Sequence, residues 1–91
     1  MNFEWNPEKA ASNLEKHNVS FQEAATVFND PLSLTVPDPK HSIDESRYII
    51  IGISRLKQLL IVAHTDREDI VRIISARKVT RRERKFYEER T

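Results

Sequence analysis

The period of apolar and polar positions changes at Leu32. Before it, Asn2 to Trp5 alternates as a short strand would, and Asn6-Pro7-Glu8 then reads as a helix start. Asn6 is the N-cap, Pro7 fits the first helical position, and Glu8 suits the positive end of the dipole. Ala10, Ala11 and Leu14 share a face, and His17-Asn18 is a natural end because Asn tolerates the left-handed conformation past a helix terminus. A second helix is predicted from Ser20, with Glu23 reaching back to complete a capping box and Val19 and Ala24 as a hydrophobic staple. Its apolar positions are Phe21, Ala24, Ala25, Val27 and Phe28, and Asp30-Pro31 stops it.

From Leu32 the rule is alternation. Leu32, Leu34 and Val36 interleave with Ser33 and Thr35 as in a half-buried strand that ends at Pro37-Asp38-Pro39, and residues 37–46 read as an exposed loop. Strands follow at 47–54, 58–66 and 70–76, joined by turns too short for crossover helices and therefore antiparallel. Tyr48 to Ile51 is apolar on both faces, which places it mid-sheet, and Gly52 marks a bulge or a close approach. Thr80 caps a last, basic helix with Glu83 in box position. That helix has few apolar residues beyond Phe86 and Tyr87, so it packs weakly or against something else. The expected fold is α+β: a mainly antiparallel sheet of four or five strands, two N-terminal helices and a basic C-terminal helix, with the helices gathered on one sheet face.

Composition narrows the setting. With 91 residues and no cysteine, residues 1–91 are expected to form one domain without disulfide or thiolate-zinc staples, in a reducing compartment such as a bacterial cytoplasm. No apolar run approaches 18 residues and no basic start leads into an apolar core, so neither membrane insertion nor export is expected. A single glycine argues against phosphate-binding glycine loops, and His17, His41 and His64 are too scattered for a zinc site, so no metal and no cofactor is expected. Charge is polarised along the chain. Residues 1–46 carry 3 basic and 8 acidic side chains and residues 77–91 carry 7 and 3, a layout suited to an anionic ligand at one end or to a solvated face.

The basic end also carries chemistry. Metal-free RNA cleavage by the 2′-hydroxyl needs a base, cationic donors for the phosphorane and an acid at the leaving oxygen. His64 is the histidine of the meander, a residue type suited to proton transfer, and Arg72, Arg77 and Arg81 offer planar forks to phosphate. Arg72 and Arg77 are an odd number apart, so on a regular strand they face opposite ways unless Arg77 lies beyond the strand end. Each candidate has a plainer reading: a hydrogen-bonded sheet histidine for His64, an ion pair with Asp66 or Glu68 for Arg72, and an apolar anchor for Tyr87.

Several ordered blocks resemble one family. Phe3-Glu4-Trp5-Asn6-Pro7, Asn13 to Phe21, Ala24-Ala25-Thr26-Val27-Phe28, Asp30-Pro31, Ile73-Ile74-Ser75-Ala76-Arg77 and Arg81-Arg82-Glu83-Arg84 together are similar to the BrnT toxins of bacterial type II toxin-antitoxin systems. The resemblance spans nearly the whole chain. It departs in Asn18 and in the turn Arg67-Glu68-Asp69, where relatives carry glycine. It implies a RelE-like fold, a metal-independent endoribonuclease that inhibits translation, and neutralisation by a BrnA-like antitoxin with a DNA-binding domain. DNA would then be met only through the antitoxin, in a toxin-antitoxin heterotetramer. The site set expected on residues and resemblance together is His64, Arg77 and Arg81 for catalysis, with Arg67, Arg72, Lys78, Arg82, Arg84 and Tyr87 for RNA binding. A non-catalytic nucleic-acid-binding module and an interaction protein that docks an acidic partner are the competing classes. RNA binding without cleavage would select the first and no RNA binding the second.

Overall fold

The computed structural model describes residues 1–90. Among them five strands form one sheet in the order β1-β5-β4-β3-β2, where β1 is Asn2–Glu4, β2 Leu34–Pro37, β3 Arg47–Ile53, β4 Leu59–Arg67 and β5 Ile70–Lys78. The three hairpin-linked pairs are antiparallel, and β1 runs parallel to β5 at the far edge. Helices α1 (Pro7–His17) and α2 (Phe21–Thr26) lie between β1 and β2 in sequence, and α3 (Arg81–Arg90) follows β5.

Local caps form where the sequence puts them. Asn6 Oδ1 accepts the N–H groups of Glu8 and Lys9, Ser20 Oγ accepts that of Glu23, and Asn18 ends α1 at φ 56°. Glu68, in the tight β4–β5 turn, sits at φ 54°, so both departures from glycine occupy left-handed positions. Glu23 does not reach back. Its carboxylate, buried under the sheet end, accepts from Ser54 Oγ at 2.6 Å and Gln58 Nε2 at 2.8 Å, partners that outcompete an exposed box. Leu32 is likewise not part of a strand: Asp30 Oδ1 takes its N–H at 2.9 Å, folding Pro31-Leu32 into a turn, and alternation begins at Leu34.

One sheet face carries the main core. Val19, Phe21, Ala24 and Val27 pack on Ile50, Leu60, Val62, Ile73 and Ala76, all nearly inaccessible. Buried Asn13 fastens α1 to β5: its Oδ1 accepts Ala76 N–H and its Nδ2 donates to the carbonyls of Ala76 and Val19. Here β1 has already ended, so Asn13 supplies the backbone partner that a neighbouring strand would. Gly52 is a close approach, since a Cβ there would stand 3.0 Å from the Val27 side chain.

The helices do not gather on one face. Ile51 and Leu59, with Leu34, Ile61 and Val79 around them, need cover on the opposite side, and Tyr87 of α3 supplies it. The two-sided apolar run of β3 requires this arrangement. Asp30 ties the layers together: Oδ2 accepts Tyr87 Oη–H at 2.6 Å and Ile53 N–H at 2.8 Å. Burial opposes its charge, but these donors and the Leu32 N–H outweigh it and hold the carboxyl below its usual range. Burial, then the hydrogen bond to Asp30 and its charge, push the Tyr87 phenol up to about 12.

Tyr87→Phe is therefore expected to lower stability by about 1.5–3 kcal/mol at neutral pH, the usual size for a hydrogen bond to a charged group. A phenol held protonated in the fold stabilises below its unfolded value of 10.0, and that share disappears as pH climbs towards about 12. Urea midpoints across pH 9–12 should show this loss in the parent protein and not in the Phe variant.

Candidate functional site

The face under α3 gathers Arg72, Arg77 and Arg82, and an irregularity between β4 and β5 puts the two strand arginines there. Val62 pairs with Ala76 and Ala63 with Ser75, but His64 pairs with Ile73, so Ile74 has no counterpart. This one-residue bulge resets the parity. Arg72 stands opposite Thr65 and Arg77 opposite Ile61, four residues apart on β4, so both arginines lie on the α3 face. Arg77 does so from within the strand, not from beyond its end.

Two zones follow. At one end a cross-strand row runs Glu4, Arg72, Thr65, Arg47 over β1, β5, β4 and β3. Arg72 pairs with Glu4 at 2.8 Å, while the Arg47 guanidinium has no partner among the described residues. Thr65 is 1% exposed and its hydroxyl finds no partner. Leaving such a group unsatisfied costs about 1–3 kcal/mol. At the other end α3 and the sheet enclose a cleft of about 300 Å³ lined by Leu34, Val36, Ile49, Ile51, Ile61 and Phe86, with Arg82 and Glu83 at its margin.

Arg77 borders this second zone in a paired state. Its two terminal nitrogens meet the two Glu83 oxygens at 2.8 and 2.9 Å, and Glu83 also accepts the Thr80 N–H at 2.8 Å. The capping box thus forms as expected and recruits the arginine. The Arg77 guanidinium beside it pulls Glu83 down to about 2, against the effect of burial and with help from Thr80, and Glu83 in turn raises Arg77.

The remaining candidates scatter. His64 faces α2, 2% exposed, with its ring 4.9 Å from Phe28 and 5.8 Å from Tyr48 and Nδ1 2.7 Å from Asp66 Oδ1. The imidazole is thus enclosed on the core side of the sheet, away from the α3 face, and its Nε2 has no partner among the described residues. The alternation Leu60, Val62, His64 carried that signal. Tyr87 is buried and its hydroxyl is committed to Asp30. Lys78 pairs with Leu60 and so points to the α1–α2 side. Arg67 is on the exposed margin, bound to Glu45 at 2.9 Å. Arg84 stands 3.9 Å from Glu88, while Arg81 is exposed with no side-chain partner among the described residues. The structure therefore brings together Arg72, Arg77 and Arg82 on one face. It adds Arg47, Thr65 and Phe86, which sequence reasoning missed; Arg47 shares the parity of Ile49 and Ile51 and could have been found that way.

Comparison with known proteins agrees with this architecture. The profile of the family described as "Ribonuclease toxin, BrnT, of type II toxin-antitoxin system" matches residues 5–83. The crystal structure of the Brucella abortus ribonuclease toxin BrnT is similar in fold, with a TM-score of 0.70 and 19% sequence identity over 89% of this chain and 99% of that one. No curated protein matches the chain.

The Arg77–Glu83 pair predicts an acid limb in stability. A carboxylate held near 2 in the fold and at its ordinary 4.5 when unfolded stabilises above pH 4.5, and that contribution is lost as pH falls towards about 2. Urea midpoints from pH 6 to 2 should fall less steeply in Glu83→Gln, which starts from a lower value because it loses the charge pair with Arg77 while its amide oxygen can still accept the Thr80 N–H.

Proposed function

Because the chain belongs to the BrnT family of ribonuclease toxins of type II toxin-antitoxin systems, we propose that RNA is held and cut on the α3 face, with Arg77 as the residue that stabilises the reacting phosphate. The observation that carries this reading is the bulge at Ile74, which turns Arg77 and Arg72 to the same side of the sheet. In the reaction the 2′-hydroxyl gives up its proton to water as its oxygen bonds to phosphorus, and the P–O5′ bond breaks with O5′ taking a proton from water, leaving a 2′,3′-cyclic phosphate and a 5′-hydroxyl. Negative charge accumulates on the non-bridging oxygens. The planar Arg77 fork, now filled by the two oxygens of Glu83, has the shape to accept two phosphate oxygens in exchange. Arg72, Arg81 and Arg82 supply further positive charge along the strand's path.

A type II system pairs its toxin with a protein antitoxin. The partner proposed here is BrnA-like, with a DNA-binding domain that brings the toxin to DNA only indirectly, in a heterotetramer. Its inhibitory segment would be amphipathic and acidic: apolar side chains fill the cleft between Phe86 and the strands, and carboxylates meet Arg81, Arg82 and Lys85 on the exposed side of α3. Such a segment covers the approach to Arg77 and excludes RNA by position. Among the described residues no helix is long and apolar enough to cross a membrane, and the proposed site of action is the bacterial cytoplasm.

Purified protein is expected to cut single-stranded RNA in EDTA and leave cyclic or 3′-phosphate ends. Arg77→Ala should lose ~10²-fold or more in cleavage, the usual result of removing one oriented donor, whereas Lys57→Ala in the distant β3–β4 turn should change little. Full activity in Arg77→Ala would move the site elsewhere. His64→Ala should lose stability and keep its cleavage rate per folded molecule.

For the antitoxin, Phe86→Ala is expected to weaken binding about tenfold or more, as truncation of a central apolar contact does. Antitoxin and RNA should compete. Simultaneous binding with no mutual loss of affinity would overturn the blocking mechanism.

A further inference from the structure

Thr65 and Arg47 play no part in the chemistry assigned to Arg77. Thr65 is directly opposite Arg47 on one side and Arg72 on the other, so the three side chains rise from adjacent strands as one row. Directly opposed residues have Cβ atoms about 5 Å apart, which puts the arginine stems about 10 Å apart with the hydroxyl between them. Two cations astride a threonine repel each other, and only Arg72 has a compensating carboxylate, Glu4. The Arg47 guanidinium and the Thr65 hydroxyl both lack a partner among the described residues, and Thr65 is almost fully enclosed. Valine would fill the same volume without stranding a hydroxyl, so a threonine here needs a reason beyond packing.

We propose that Arg47 and Thr65, with Arg72 at their flank, form a second phosphate-binding subsite that holds a phosphodiester of the RNA away from the one being cut. The inference rests on the reading that RNA lies on the α3 face. Thr65 and the Arg77 row are four residues apart along β4, about 13 Å, and the two paired forks point away from each other, Arg72 to Glu4 at the β1 edge and Arg77 to Glu83 at the start of α3. A single phosphate does not serve both. The second site fixes the register of the strand so that the scissile phosphate meets Arg77. In this arrangement Arg47 and Thr65 are positioning residues: the guanidinium donates to the phosphate oxygens, and the hydroxyl donates to the same group once the arginine stems part.

Isosteric replacement separates this role from a structural one. Thr65→Val should unfold at the same urea concentration as the parent or a higher one, yet cut single-stranded RNA at least tenfold more slowly, while Thr65→Ser retains activity. Arg47→Gln should weaken RNA binding and lower the slope of log affinity against log salt by about 0.7, the value for one single-strand phosphate contact. Parental cleavage and binding in both Thr65→Val and Arg47→Gln, with Arg77→Ala inactive, would overturn the subsite and leave the functional reading standing. A parent protein that neither binds nor cuts RNA would overturn both. Loss of antitoxin affinity alone in the two variants would assign the row to the protein partner and also refute the proposal.

Discussion

Strand β5 spends one residue more than β4 over the same stretch of ladder, and the placement of Ile74 at that extra position determines which side chains can act together. Without it, Arg72 would share a face with Ala76 and point into the α1–α2 core, where an arginine could not stay charged and unpaired. With it, Val71 and Ile73 line up with Ala76 on the core side, and Arg72 joins Arg77 on the other. The bulge is tolerable because β1 stops at Glu4, leaving the outer edge of β5 free to bend and its Ala76 groups free to be taken by Asn13.

The second constraint is the cover on the far side of the sheet. Helix α3 is a poor lid, with Phe86 half exposed and one buried aromatic, and it is held mainly by two polar ties one turn apart. Glu83 fixes the first turn through Thr80 and Arg77, and Tyr87 reaches Asp30 at the sheet edge. Beside those ties the cleft remains open. A helix fastened by a few polar contacts over an apolar floor can be moved or bridged by a partner at modest cost, whereas α1 and α2, fastened by Asn13 and a continuous core, cannot.

What was legible in the sequence was local. Asn6, Ser20 and Thr80 act as caps because each bonds within three residues, and Asn18 announces its left-handed turn by type alone. The α+β class, the antiparallel meander and the two-sided burial of β3 follow from period and turn length. Glu23 was misread because its partners Ser54 and Gln58 are far along the chain, and a capping-box spacing in the sequence says nothing of a stronger rival. The site was harder still. Parity along one strand cannot reveal an unpaired residue, since a bulge is a property of two strands. Arg47 was passed over because it precedes an apolar run and belongs to no basic cluster in sequence, although its register makes it the neighbour of Thr65. His64 drew attention by its chemistry when its alternation with Leu60 and Val62 already placed it inside.

The ion pairs on the α3 face also bear on function through their magnitude. Arg72 and Arg77 are each about 40% exposed and each held by one carboxylate, Glu4 and Glu83. At that exposure a pair contributes on the order of 1 kcal/mol or less, so exchange of its carboxylate for a phosphate of the same charge is nearly free in the protein. A fully buried pair would resist the same exchange by several kcal/mol, because one charge would be left without a partner in a dry site. The carboxylates therefore hold the two forks in place at little cost to the exchange that the proposed RNA site requires.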